Sequence, residues 1–162
     1  MAKKRVYAES SVISYLAAKP SRDIAKLAKQ RHTREWWERR GRWDLFISQA
    51  AMDEITRGDP QAANARREKA SLLALLPNAP EAMPLAKSLM ARIQIPLDSA
   101  ADAAHLALAA FHQMDYMVTW NQRHLDNPIL RERINAVIRE RKLRPAAVLT
   151  PERLLEMDDD GR

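Results

Sequence analysis

Short stretches rich in β-branched and aromatic residues recur along this chain, each parted from the next by helical sequence, and that alternation limits the fold more than any other feature. Candidate strands fall at residues 4–8, 43–47, 116–119 and 146–149. Helices are predicted between them. One follows Ser10 or Ser11 as cap and stops before Pro20. A long one, residues 22–40, follows a Ser21 cap and is closed by Gly41. Others are expected from the Ser48 cap to Arg57, over 61–75 and 81–92, over 100–112 opened by Asp98 or Ser99, over 128–142, and from Thr150-Pro151-Glu152 onward. Consecutive strands joined through helices pair in parallel, so the expectation is α/β: three layers, a central parallel sheet of four to five strands, helices on both faces. The 162 residues suit one domain, residues 1–157, with 158–162 as a disordered acidic tail.

Composition excludes several chemistries. The absence of cysteine rules out disulfides, thiolate metal sites and a thiol nucleophile. Three glycines, Gly41, Gly58 and Gly161, cannot form a phosphate-cradling loop of the P-loop or Rossmann kind. No apolar stretch is long enough to span a bilayer. Lys3-Lys4-Arg5 ahead of an apolar stretch resembles a signal peptide superficially, but Glu9, Ser10, Ser11, Ser14 and Tyr15 interrupt it, and the expected location is cytoplasmic.

The net charge of +6 is localised. Residues 19–42 hold nine basic and three acidic side chains and so carry the entire surplus. A neutral body with one basic arm suits a polyanionic partner, with a solvated helix face as the plain alternative. Trp36-Trp37 within this arm could stack on unpaired bases, although adjacent helical residues point about 100° apart and core packing is the favoured role.

Three acids stand where solubility alone would not put them. Glu9 follows the first strand, Glu54 lies in the helix after the second, and Asp102 lies in an alanine-rich helix that otherwise looks buried. Ligands of such sheets bind beyond the carboxyl ends of the strands. Three carboxylates meeting there would raise one another's pKa unless a cation neutralised them, and hard oxygen donors select Mg2+ or Mn2+ over zinc. Each also has a plain reading: a charge at a helix N-terminus for Glu9, pairing with Arg57 for Glu54, a core hydrogen bond for Asp102. His105 shares a helical face with Asp98 and Asp102, while His32 and His112 read as surface residues.

In order, these segments resemble the PIN-domain ribonucleases. The run from Val6 through Glu9-Ser10-Ser11 to Leu16 is similar to their opening strand, metal-binding acid and hydroxyl residue. Ser48 through Glu54-Ile55 resembles the second-acid segment, and Asp102-Ala103-Ala104-His105-Leu106-Ala107 the third-acid helix. Thr119-Trp120-Asn121-Gln122-Arg123-His124-Leu125-Asp126-Asn127, with Thr33-x-x-Trp36-Trp37 and Thr150-Pro151-Glu152, resembles a VapC-like toxin subgroup. Two positions depart from the family pattern: Glu9 stands where Asp is usual, and Asn121 where many members have a fourth Asp.

The resemblance implies a metal-dependent endoribonuclease, the toxin of a toxin–antitoxin pair. Glu9, Glu54 and Asp102 are its expected metal ligands, Asn121 completes the catalytic set, and Ser10, His105 and His124 support it. Arg31, Arg34, Arg39 and Arg40 are the candidate RNA contacts. RNA, a cognate antitoxin and a second copy of the chain are the implied partners. The competing expectation is a PIN-like protein that binds RNA without cutting it, Glu9 and Asn121 having weakened metal capture. A haloacid-dehalogenase-type phosphatase needs Asp-x-Asp after the first strand. The Asp-x-Asp here lies in the tail, at Asp158 and Asp160, which excludes that reading.

Overall fold

The structure is a computed structural model that describes residues 2–93, 100–121 and 128–161. Among these residues the strands are β1 (Arg5–Ala8), β2 (Asp44–Ile47), β3 (Ala74–Leu75), β4 (Tyr116–Val118) and β5 (Ala147–Leu149). The helices are α1 (Ser10–Ala17), α2 (Ile24–Glu38), α3 (Gln49–Ile55), α4 (Pro60–Ala70), α5 (Met83–Ile93), α6 (Ala100–Phe111), α7 (Pro128–Glu140) and α8 (Pro151–Asp160). All strand pairs are parallel, in the order β3-β2-β1-β4-β5. This is the three-layer α/β arrangement expected from the sequence.

β1 sits at the centre, and its alternation sorts the core into two halves. Val6 and Ala8 face one side, where Val12, Ile13, Leu16, Trp36, Trp37, Ile55, Leu154 and Leu155 pack from α1, α2, α3 and α8. Tyr7 faces the other, against Leu85, Leu89, Ala103, Ala107, Ile134 and Ile138 of α5, α6 and α7. A strand two apart in periodicity and buried on both faces reads as continuously apolar, as Val-Tyr-Ala does.

The strand order also fixes where a site can form. The chain leaves β1 to build β2 and β3 on one flank, then returns through α5 and α6 to lay β4 on the other. The connections therefore diverge at the carboxyl ends of β1 and β4, the topological switch point at which such sheets open a crevice.

Several local expectations are corrected. Glu9, not Ser10 or Ser11, caps α1, its carboxylate accepting the Ser11 amide. α2 starts at Ile24 behind an Asp23 cap, because the Ser21 amide is spent on Gln30 Oε1 at 2.9 Å and its hydroxyl on the Asp23 amide. The helix expected over 61–75 stops at Ala70. Ser71 folds its hydroxyl back onto the Glu68 carbonyl, and Ala74–Leu75 joins β2 as a two-residue edge strand, too short to show an alternation. The acidic tail is ordered through Asp160 as the end of α8. Three aspartates at a helix C-terminus oppose its dipole, but Arg39 and Arg42 hold Asp159 and Asp158 at 2.7 and 2.9 Å. The caps at Ser48 and Thr150 are as expected. The proposed caps Asp98 and Ser99 lie outside the described residues.

Trp36 and Trp37 belong to the core, at 0% and 7% exposure, and stack on no ligand surface. Trp36→Ala should therefore lower the free energy of unfolding by about 3–5 kcal/mol through lost burial and a residual cavity. Denaturant titration followed by far-UV circular dichroism measures it, and a loss below 1 kcal/mol would contradict the packing described.

Candidate active site

The parallel register pairs Ala8 with Val118, so the residues that follow them, Glu9 and Thr119, leave the sheet side by side. The Glu9 amide still bonds Val118 O at 3.0 Å and the Thr119 amide bonds Leu149 O at 2.9 Å. From there the polypeptides separate, Glu9 into α1 and Thr119 into Trp120-Asn121. Around that fork, side chains from β1, α1, α3, α6 and the end of β4 join in one hydrogen-bonded chain, both ends of which lie on α6.

Glu9 is its anchor. It is buried at 5% exposure, and both oxygens accept the Ser11 amide, at 2.8 and 2.9 Å. The Thr119 hydroxyl donates to Glu9 Oε1 at 3.3 Å. On the other side, one hydroxyl, that of Ser10, faces two carboxylates: Glu9 Oε2 at 3.4 Å and Glu54 Oε2 at 3.3 Å. A hydroxyl has a single proton, so it cannot satisfy both. Two carboxylates thus meet across one long, shared donor.

Glu54 is half-buried and reached from below by His105, a fully buried side chain on α6 whose Nε2 bonds Glu54 Oε1. The Nδ1 of the same ring contacts the Tyr7 hydroxyl, which bonds Ser48 Oγ at 2.7 Å. Ser48 Oγ in turn caps α3 by accepting the Ala51 amide at 3.1 Å. Nε2–H donates to the Glu54 carboxylate, and the directions of the Ser48 and Tyr7 hydroxyl protons follow from the state of the other ring nitrogen. Burial pushes Glu54 upward, but the His105 hydrogen bond and charge, the Ser10 hydroxyl and Arg57 together outweigh it and hold the carboxyl below its ordinary value. Burial also pushes the Tyr7 hydroxyl far above its ordinary range, so it stays a neutral donor.

Asp102 enters from the same helix as His105, one turn earlier. The Asn121 amide donates to both its oxygens, at 2.9 and 3.0 Å, and the Asn121 backbone N–H bonds Thr119 Oγ1 at 2.9 Å. The hydrogen bonds therefore run from Asp102 through Asn121 and Thr119 to Glu9, then through Ser10 to Glu54 and His105, and the ring is closed only by α6, which carries both ends. Glu9, Glu54, Asp102, Asn121, Ser10 and His105 are all brought to it. His124 lies outside the described residues, as does the rest of the closing segment through Asn127.

Oxygen donors without a thiolate suit Mg2+ or Mn2+ by chemical type. Glu9 and Glu54 share one contact, Ser10, while Asp102 joins through Asn121. Among the described residues, no three His, Cys, Asp or Glu side chains are gathered as a metal-holding cluster.

The basic arm is only partly available. Arg39 is tied to Glu35 and Asp159 at 2.7 Å each. Arg40 donates to the Trp37 carbonyl at 3.0 Å and lies 4.7 Å over the Trp37 ring. Arg31 and Arg34 are exposed on α2. His112, read as a surface residue, is half-buried, its Nε2 enclosed without a hydrogen-bond partner, and burial lowers its pKa.

Sequence reasoning missed Tyr7, Ser11 and Thr119 as members of the ring and saw Ser48 only as a cap. A usable signal existed for Tyr7, since a tyrosine in a central strand needs a buried partner for its hydroxyl. No protein-family model and no curated protein sequence matches this chain. Among the described residues, no helix is long and apolar enough to cross a membrane.

Two outcomes test this network. Tyr7→Phe strips a partner from both His105 Nδ1 and Ser48 and should cost about 1–3 kcal/mol of folding stability by denaturant titration. Glu54→Gln tests the carboxylate. Because its folded pKa is depressed, the ionised form stabilises the fold above its ordinary value near 4.5, and that contribution drains away as acid titrates through the lower folded value. The melting-temperature gap between wild type and Glu54→Gln should thus be full at pH 7 and narrow below pH 4.5. A gap independent of pH would refute the stabilising role of the ionised Glu54 carboxylate.

Proposed function

We propose that this chain is a metal-dependent endoribonuclease that hydrolyses RNA phosphodiester bonds. The observation that carries the reading is the meeting of Glu9 and Glu54 over the single Ser10 proton at the sheet's switch point, with Asp102 linked to the same ring. Two carboxylates facing each other across one hydroxyl, one of them held ionised, are oxygen donors that a divalent cation can bridge. The PIN-like order of the acid-bearing segments supports the same reading, and it is the ground for proposing a toxin role, with an antitoxin that covers this acidic edge and a homodimeric state.

Glu9 and Glu54 would hold Mg2+ or Mn2+, with Asp102 completing the set. Such an ion supplies Lewis-acid stabilisation of phosphoryl oxygens and a more acidic bound water. The chain's own residues do the rest. Ser10 orients the two carboxylates toward each other. His105, braced by Tyr7, keeps Glu54 ionised and fixes its direction. Asn121 aims Asp102, whose carboxylate can accept a proton from an attacking water.

The rival reading, an RNA-binding protein that does not cut, draws on two features: Asn121 occupies both oxygens of Asp102, and the described acids form a ring, not a metal-holding cluster. Incubation of the purified chain with single-stranded RNA separates the two. Cleavage should require Mg2+ or Mn2+, stop with EDTA, and fall on the order of 100-fold or more in Asp102→Ala. Equal cleavage by wild type and Asp102→Ala would assign the activity to a contaminant, and binding without cleavage under either ion would leave the rival standing.

A further inference from the structure

The acidic ring cannot by itself attract a polyanion, since its nearest charges repel phosphate. Binding strength must come from cations close by; the basic arm of residues 19–42 supplies them, and four of its arginines are the contacts expected from the sequence. Arg39 is spent on α8, and Arg40 is occupied by Trp37. Instead, a groove of about 350 Å³ runs between α1 and α2, lined by Ser14, Tyr15, Lys19, Ser21, Lys26 and Gln30, and no acidic side chain lines it. Ser14 follows Ser10, and Tyr15 follows Ser11, by one helical turn, so the same face of α1 that touches Glu9 and Glu54 continues directly into the groove.

Its aromatic lining residue is Tyr15, backed by Trp120. Tyr15 and Trp120 lie with ring centroids 6.0 Å apart, and Lys29 Nζ sits 5.8 Å from the Tyr15 ring and 5.7 Å from the Trp120 ring. Trp120 itself is fixed to the ring of acids through its amide, which bonds Ser11 Oγ at 2.9 Å, and its indole N–H bonds Thr33 Oγ1 at 2.8 Å. The groove is also rigid: Gln30, buried at 2% exposure, clamps its end by accepting the Ser21 amide and donating to the Lys19 carbonyl, each at 2.9 Å. Lysines along a cleft with an aromatic side chain within it are the elements of a single-stranded nucleic-acid track.

We propose that the α1–α2 groove binds single-stranded RNA, with Lys19, Lys26 and Lys29 contacting backbone phosphates and Tyr15 meeting a base, so that the neighbouring phosphodiester lies at the acidic ring. The proposal rests on the ribonuclease reading for the identity of the polyanion, and its test is independent of cleavage. Binding of a fluorescently labelled single-stranded RNA is measured by anisotropy in EDTA across a salt series. Wild type is compared with Lys26→Gln/Lys29→Gln and with Lys87→Gln/Arg133→Gln, a pair carrying the same charge change on the exposed faces of α5 and α7.

The groove variant should bind at least tenfold more weakly, and its slope of log affinity against log salt should flatten by about 1.4, the value for two lost phosphate contacts. The control pair should stay within twofold of wild type. Thermal melts confirm that both variants fold. Affinities for groove variant and control within a factor of two of each other would overturn the proposal, as would retention of the full salt slope by the groove variant. Groove-specific loss in a chain that never cleaves RNA would keep the track and remove the hydrolase reading. Metal-dependent cleavage with no groove effect would do the reverse.

Discussion

The pairing of β1 with β4 is the constraint on which the candidate site depends. Because Ala8 and Val118 are in register, Glu9 and Thr119 emerge together, and every other member of the ring is positioned relative to that fork. A one-residue slip would turn Tyr7 away from α6 and bring Val6 or Ala8 against it, which would bury no hydroxyl and leave His105 without its brace. The burial of Val6, Tyr7 and Ala8 on both faces of the central strand makes such a slip costly. Packing of the core and placement of the polar ring are thus one decision of the chain, taken at four residues.

The ring itself divides into two regimes. On the α6 side it is dry and fully partnered, with His105 between Tyr7 and Glu54. On the α1 side it is polar, with two carboxylates sharing the Ser10 hydroxyl. The α6 half sets the direction and charge state of Glu54; on the α1 half the two carboxylates divide one hydroxyl proton between them. That asymmetry is the physical content of the proposed hydrolytic site, and the basic groove along α1 supplies the opposite charge at the distance of one or two helical turns.

Much of this was legible in the sequence, for identifiable reasons. Glu9, Glu54 and Asp102 announced themselves as acids at strand ends or in an apolar helix, and Ser48 and Thr150 as caps, because those signals are local. The two-residue strand at Ala74–Leu75 was not, since its state is set by an open edge of β2 and not by its own pattern. Nor was the fate of the arginines. Charge counting sees a basic arm but not that Asp158 and Asp159, more than a hundred residues away, fold back onto Arg39 and Arg42. Tyr7 was hidden for the opposite reason: as an aromatic in a strand it satisfies the apolar pattern so well that its hydroxyl attracts no notice.

Glu9 carries two duties, since the carboxylate that faces Ser10 and Glu54 is also the group that caps α1 at the Ser11 amide. A ligand that draws those oxygens toward itself must loosen the grip on Ser11, so occupancy of the crevice and fraying of the N-terminal helix share one free-energy cycle. The Glu9 position is in this sense a mechanical linkage: it transmits binding at the sheet edge into the backbone of the helix that walls the lysine groove.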